Sequence, residues 1–402
     1  MDKKQLAVLQ NRYLQHIGKE EIMGHFIPLS VPNLKGKELE YVTHAVATEW
    51  VSTAGPYISD FEHNIAEYVG ASEAVACQSG TAGLHLALIA CGISRGDEVI
   101  VPTLTFIAAV NPVKYLEAEP VFMDCDDSLA MDPCKLEAFC EQECFFKENI
   151  LFNKKSGRQI KAIIVVHIFG NMADMERIMQ IAQRYNLKVI EDATEALGTY
   201  YISGMYKDKF AGTIGDIGVY SFNGNKIITT GGGGMIVSNN KEYINRCRYL
   251  STQAKDDTLY FLHDEIGYNY RMTNLQAALG LAQLEQLESF ISTKQTNYMD
   301  YQSHGIPLLK FRDTIRPNYW FYSYLTHERD NLLQYLSNQN IQTRPIWRLI
   351  HTLRPYKEAQ AYNIEKALYY YDHVLNLPCS TNLTGNEVAV VVNEISKFVK
   401  NN

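Results

Sequence analysis

Lys226 lies in the run SFNGNKIITTGGGG, residues 221–234. A lysine is ordinarily a solvated surface charge. This one is framed by Ser, Asn and four consecutive glycines, a run that costs conformational entropy and so must serve tight backbone geometry. Three other polar sites stand where strand-like runs end. They are Gln78-Ser79-Gly80-Thr81 ahead of the helix-like TAGLHLALIACG, Asp192 after Leu-Lys-Val-Ile-Glu, and Ser221. Taken singly, each has an ordinary reading as a Ser/Thr helix cap, a surface acid or an exposed polar residue. Taken together they offer an amine, a carboxylate for a cationic ring nitrogen, and the free N–H groups of a helix start for an anion. Pyridoxal 5′-phosphate (PLP) needs that set: an amine for its aldehyde, an acid at its pyridinium nitrogen and a cradle for its phosphate. On this reading Lys226 holds the cofactor and then shuttles a proton between the substrate carbon and the cofactor carbon. Asp192 keeps the ring nitrogen protonated, while Ser79, Gly80, Thr81 and Ser221 hold the phosphate.

Such residues must be presented by strands. Seven runs qualify: Ala74–Cys77, Glu98–Val101, Pro120–Asp124, Ala162–His167, Lys188–Glu191, Asp216–Phe222 and Gly234–Val237. Helical periodicity falls between them at Thr81–Ala90, Ile107–Tyr115 and Ala173–Tyr185. The alternation predicts an α/β fold with a large, mostly parallel sheet, whose ligands bind beyond the carboxyl ends of the strands. Residues 1–30 read as a short amphipathic helix (residues 3–20) and an extended segment, residues 31–255 as the cofactor-binding domain, and residues 256–402 as a smaller α+β domain. In the last of these, Asn274–Ile291 reads as one long helix and Gly385–Val399 as the closing one. The polar stretch Glu141–Arg158 reads as an irregular surface excursion.

Bulk properties exclude several classes. The 402 residues are 46% hydrophobic and 20% charged, an ordinary globular composition long enough to bury a large core. A formal net charge of −8 argues against a nucleic-acid surface. No window holds the roughly 18 apolar residues of a membrane span, and no secretory leader is read, so the cytoplasm is the expected compartment. The eight cysteines have no zinc or disulfide spacing, and no metal is expected. A nicotinamide enzyme would need G-x-G-x-x-G after the first strand, which leads instead into QSGTAG.

The chain resembles the DegT/DnrJ/StrS family of PLP-dependent nucleotide-sugar aminotransferases, from about residue 27 to residue 395. The likeness rests on SGTAGLHLAL (79–88), GDEVIVPTLTFIAAVN (96–111), EPVFMD (119–124), VHIFGN (166–171), EDATEALG (191–198), GDIGVYSFNGNKIITTGGGGM (215–235) and GYNYRMTNLQAALGLAQLEQL (267–287). It implies the type I, aspartate-aminotransferase-like fold, Lys226 as the Schiff-base lysine and Asp192 as the pyridinium partner. It further implies Phe106 stacked on the cofactor face, Gly80, Thr81 and Ser221 at the phosphate, and Asn269 reaching a neighbouring subunit's phosphate. A homodimer with shared active sites follows from that last position. Phe106 reads equally as core packing, and Asn269 has a plain reading as a turn residue. Glu195 stands where many members carry Gln, near the cofactor's phenolic oxygen, and members making perosamine and 4-amino-4,6-dideoxy sugars share the glutamate. Its other reading is a first-turn helix acid.

Retention of Lys226 implies transamination, because related sugar dehydratases carry histidine there. The segments FIPLSVPNL, TEWVSTAGPYISDFE, IITTGGGGMIV and STQAKDD resemble a subgroup that aminates C-4 of UDP-4-keto-6-deoxy-N-acetylglucosamine, on routes to legionaminic acid and bacillosamine-type glycans. L-glutamate is the implied donor, with pyridoxamine phosphate as the cofactor's other form. A GDP-perosamine synthase or a C-3 aminotransferase is the alternative, and a non-catalytic regulator on the same fold is a reading of a different class. Trp50, Ser52, Gly55, Tyr57, Arg344, Trp347 and His351 are candidate substrate contacts, Arg344 because its planar fork suits a diphosphate or carboxylate. The segment RPIWRLIH also reads as a structural loop. His167 reads either as lining the pocket or as a buried, satisfied histidine.

Overall fold

The computed structural model describes residues 26–257 and 259–401, so the helix expected over residues 3–20 lies outside the described residues. Strands β1 (Glu73–Cys77), β2 (Glu98–Pro102) and β3 (Glu119–Met123) come first. A hairpin of β4 (Cys144–Lys147) and β5 (Ile150–Asn153) then leads into β6 (Gln159–Val166). Next are β7 (Lys188–Asp192), the short β8 (Tyr200–Tyr201), β9 (Ile217–Ser221) and β10 (Gly234–Ser238). The C-terminal part adds β11 (Ile315–Arg316), β12 (Tyr322–Leu325), β13 (Arg344–Pro345), β14 (Ala361–Tyr362) and β15 (Val374–Leu377).

The central sheet runs β1-β10-β9-β7-β6-β2-β3, the seven strands legible in the sequence with small differences at their ends. Only β10 of these runs antiparallel to its neighbours. Val and Ile fill β2, β6 and β7 because both faces of a parallel sheet are covered, and β2 is buried along its whole length. The helix Gly80–Ala90 packs close to the sheet through Gly83, where a Cβ would come within 2.7 Å of Val219 and 3.4 Å of Ile236. The C-terminal residues build the three-stranded sheet β12-β15-β13, and β14 adds a parallel edge to β3.

Three elements differ from the expectation. Glu141–Arg158 is mostly an ordered hairpin: β4 and β5 pair antiparallel, β5 pairs with β6, and Phe145 stacks on Phe152 across the strands at 5.2 Å. Its charges point outward while Cys144, Leu151 and Asn153 are buried, which hides the strand pattern among polar residues. The long helix divides into Asn274–Leu284 and Leu287–Ser303, with Gln286 leaving helical geometry at φ −105°, ψ −4°. Ile107–Tyr115 divides into a 3₁₀ turn, Ile107–Ala109, and a short helix, Asn111–Tyr115, started by Pro112.

Candidate active site

The carboxyl ends of β1, β7 and β9 open into a cavity of about 550 Å³. Ser79 caps the helix Gly80–Ala90, its Oγ accepting the Ala82 N–H at 3.1 Å. The N–H groups of Gly80 and Thr81 fall in the first turn, which has no carbonyl one turn back to take them, and both residues line the cavity. Gly80 admits the wall behind it: a Cβ there would lie 2.9 Å from Thr194 and 3.0 Å from Ser221. Ser221, at the end of β9, also faces the cavity.

Asp192 closes β7 and is buried, its Oδ1 accepting the Thr194 N–H at 3.1 Å. Burial raises its pKa, against hydrogen bonds from Thr194 and the nearby positive charge of Lys226. Glu195 is also buried, with Oε2 accepting the Phe169 N–H at 2.8 Å and Oε1 3.6 Å from Lys226 Nζ. Burial pushes the Glu195 carboxyl up to about 7, and the Lys226 charge opposes the rise. Lys226 is carried by a turn in which its N–H donates to Asn223 O at 3.0 Å, and its side chain is 13% exposed.

Phe106, Arg344 and Trp347 line the same cavity, with the Phe106 and Trp347 rings 6.3 Å apart. The remaining candidates stand outside the lining. His167 is fully buried; its Nε2 donates to Glu191 Oε2 at 2.8 Å and its Nδ1 accepts the Ala173 N–H at 3.2 Å, so both ring nitrogens are satisfied. His351 Nδ1 pairs with Thr103 Oγ1 at 2.6 Å, away from the cavity wall. Trp50 and Ser52 are exposed, and their carbonyls accept from Asn274 at the head of the helix Asn274–Leu284. Gly55 packs against the Asn274 side chain, Tyr57 OH pairs with His44 at 3.1 Å, and Asn269 is exposed on a bridge to Thr252.

The lining also holds residues that sequence reasoning missed: Thr105, Thr194, Asn225, Trp320 and Gln342. Thr194 lies inside EDATEALG, between Asp192 and Glu195, and that placement was its only signal. Trp320 and Gln342 arrive from distant chain and carry no local signal. The donor set fits PLP: open N–H groups, a hydroxyl, a buried carboxylate and an amine line one cavity. When bound, PLP is the electron sink that makes a proton on the substrate carbon removable. Lys226 supplies an amine to that lining, and Glu195 Oε1 stands 3.6 Å from it. The sheet and this site define a PLP-dependent transferase of fold type I.

Residues 32–396 match the DegT/DnrJ/EryC1/StrS aminotransferase family. The chain is 40% identical over 381 residues to a GDP-perosamine synthase of Escherichia coli O157:H7, covering 93% of this chain and 98% of that protein. It is 37% identical over 380 residues to a GDP-perosamine synthase of Caulobacter vibrioides, covering 91% and 96%. A DegT DnrJ EryC1 StrS aminotransferase from Brucella abortus superimposes with a TM-score of 0.82 at 28% identity, covering 90% of this chain and 95% of that one. The chain belongs to the DegT/DnrJ/EryC1/StrS aminotransferase family and is a PLP-dependent nucleotide-sugar aminotransferase.

Proposed function

We propose that the enzyme moves an amino group from L-glutamate to C-4 of a nucleotide-linked 4-keto-6-deoxy sugar, acting as a homodimer with shared sites. The observation that carries this reading is the similarity to two GDP-perosamine synthases along nearly their whole length. Those names favour a GDP-linked sugar over UDP-4-keto-6-deoxy-N-acetylglucosamine, the substrate of the subgroup its flanking segments resemble. Glu195, shared with perosamine-type members, supports the 4-amino outcome. Lys226 and Asp192 carry the cofactor, Ser79, Gly80, Thr81 and Ser221 its phosphate, and Phe106 its ring face. Arg344 at the cavity mouth suits the diphosphate or the donor carboxylate. Asn269, Trp50, Ser52, Gly55 and Tyr57 lie outside the lining within one chain, where a partner subunit's site would use them.

The test is to incubate the enzyme and L-glutamate with GDP- and UDP-linked 4-keto-6-deoxy sugars and identify the product by NMR. A 4-amino sugar from the GDP substrate is expected. Amination of the UDP substrate alone would restore the other nucleotide, and amination at C-3 would overturn the regiochemistry. A Lys226→Ala variant is expected to lose the yellow colour of the lysine-bound cofactor and about 10²–10⁴ in rate, the usual share of a proton-transfer group.

A further inference from the structure

Trp320 belongs to none of the motifs that mark the site, yet it is tied to the site from four directions. Its ring faces Lys226 Nζ, 4.2 Å from nitrogen to centroid. Its indole N–H donates to the carbonyl of Asn225, the residue before the lysine, at 2.8 Å. Its backbone N–H donates to Asn318 Oδ1 at 3.0 Å, while Asn318 Nδ2 donates to the carbonyls of Glu195 and Leu197, each at 2.9 Å. Its own carbonyl accepts Lys294 Nζ at 3.1 Å, and that buried lysine also bonds the Cys379 carbonyl.

Asn318 and Trp320 are buried, so neither has freedom to wander. One side chain therefore grips the turn that carries Lys226, and its neighbour grips the turn that carries Glu195. The ring between them presents a π face, which attracts an ammonium group. An amine that must leave the cofactor and return to it in every half-reaction needs a defined resting place, because a displacement of about 1 Å costs orders of magnitude in rate. We propose that Trp320, locked by Asn318 and Lys294, is a positioning residue that cradles the Lys226 amine whenever it is detached from the cofactor. The inference rests on Lys226 being the cofactor lysine, which the Lys226→Ala colour test checks separately, and it is independent of which sugar is aminated.

Loading the enzyme with pyridoxamine 5′-phosphate leaves Lys226 free for labelling with acetic anhydride at one fixed pH, read by mass spectrometry. In Trp320→Leu the rate of Lys226 labelling is expected to rise roughly fivefold, as for a lost cation–π contact. A purely structural tryptophan would lower the melting temperature and leave that rate in place. An unchanged labelling rate in a folded Trp320→Leu enzyme overturns the proposal. Should that variant not fold, Trp320→Phe keeps a ring and removes only the N–H to Asn225. Hydrogen exchange at the Lys226 amide is then expected to quicken roughly five- to tenfold, the worth of one hydrogen bond. Equal exchange rates would overturn the proposal by that route.

Discussion

At Glu195, burial and charge pull in opposite directions. Burial raises the carboxyl to about 7 from an ordinary 4.5, while Lys226, 3.6 Å away, favours the ionised form and limits the rise. The folded cofactor-free protein therefore holds this proton more tightly than the unfolded chain does. Stability from this group is complete below about 4.5 and is lost as the pH climbs through about 7. The loss is on the order of 3 kcal/mol. Glu195→Gln removes the titration, while the amide oxygen can still accept the Phe169 N–H. Urea unfolding of the cofactor-free proteins is expected to show the variant gaining on the parent between about pH 5 and about pH 8. An advantage that stays constant across that interval would show that Glu195 does not titrate there. The residue types of Lys226, Asp192 and Glu195 were legible from local sequence. The closeness of Glu195 to the Lys226 amine was not, because it depends on how the loops after β7 and β9 face each other.

The glycine run shows at the scale of an element why composition alone is a coarse guide. Four glycines in a row announce tight geometry, yet they do not share it equally. A Cβ at Gly234, the first residue of β10, would lie 2.7 Å from the Ser79 carbonyl and 2.8 Å from the Gly80 nitrogen. At Gly232 the nearest atom to such a Cβ is a Gln276 side-chain nitrogen 4.0 Å away. Gly234→Ala is therefore expected to cost about 1–3 kcal/mol, the usual range for overpacking, and to weaken PLP binding by displacing the proposed phosphate cradle. Gly232→Ala should change the melting temperature little. Calorimetry of both variants checks the contrast, and equal losses would contradict the packing account. Strand positions were legible because buried Val and Ile runs between turns are a local signal. The β4–β5 hairpin was not, since its outward charges mask the alternation, and neither was the break at Gln286, where Leu and Ala spacing continues across the interruption.

For the molecule as a whole, an apolar loop stands out into solvent. Tyr260 is 75% exposed and Ile266 87%, with Leu259, Phe261 and Leu262 beside them. Exposed apolar side chains grouped in one loop suit a contact with another protein, and the proposed homodimer supplies one. Sedimentation analysis is expected to find the parent a dimer and a Phe261→Ser/Ile266→Ser variant largely monomeric; a variant that remains dimeric would place the interface elsewhere. No described helix is long and apolar enough to cross a membrane. The sequence by itself determined the chemistry and the seven strands that carry it. Lys226, Asp192, Ser221 and the Ser79–Thr81 turn each sit where a short run ends, and short-range periodicity records such ends. Tertiary structure alone decided what closes the site. Trp320 and Gln342 come to the cavity from chain far beyond the sheet, and packing between distant segments leaves no local pattern to read. The same packing set His167 and His351 apart from the cavity, for a histidine's burial and partners are properties of the folded whole.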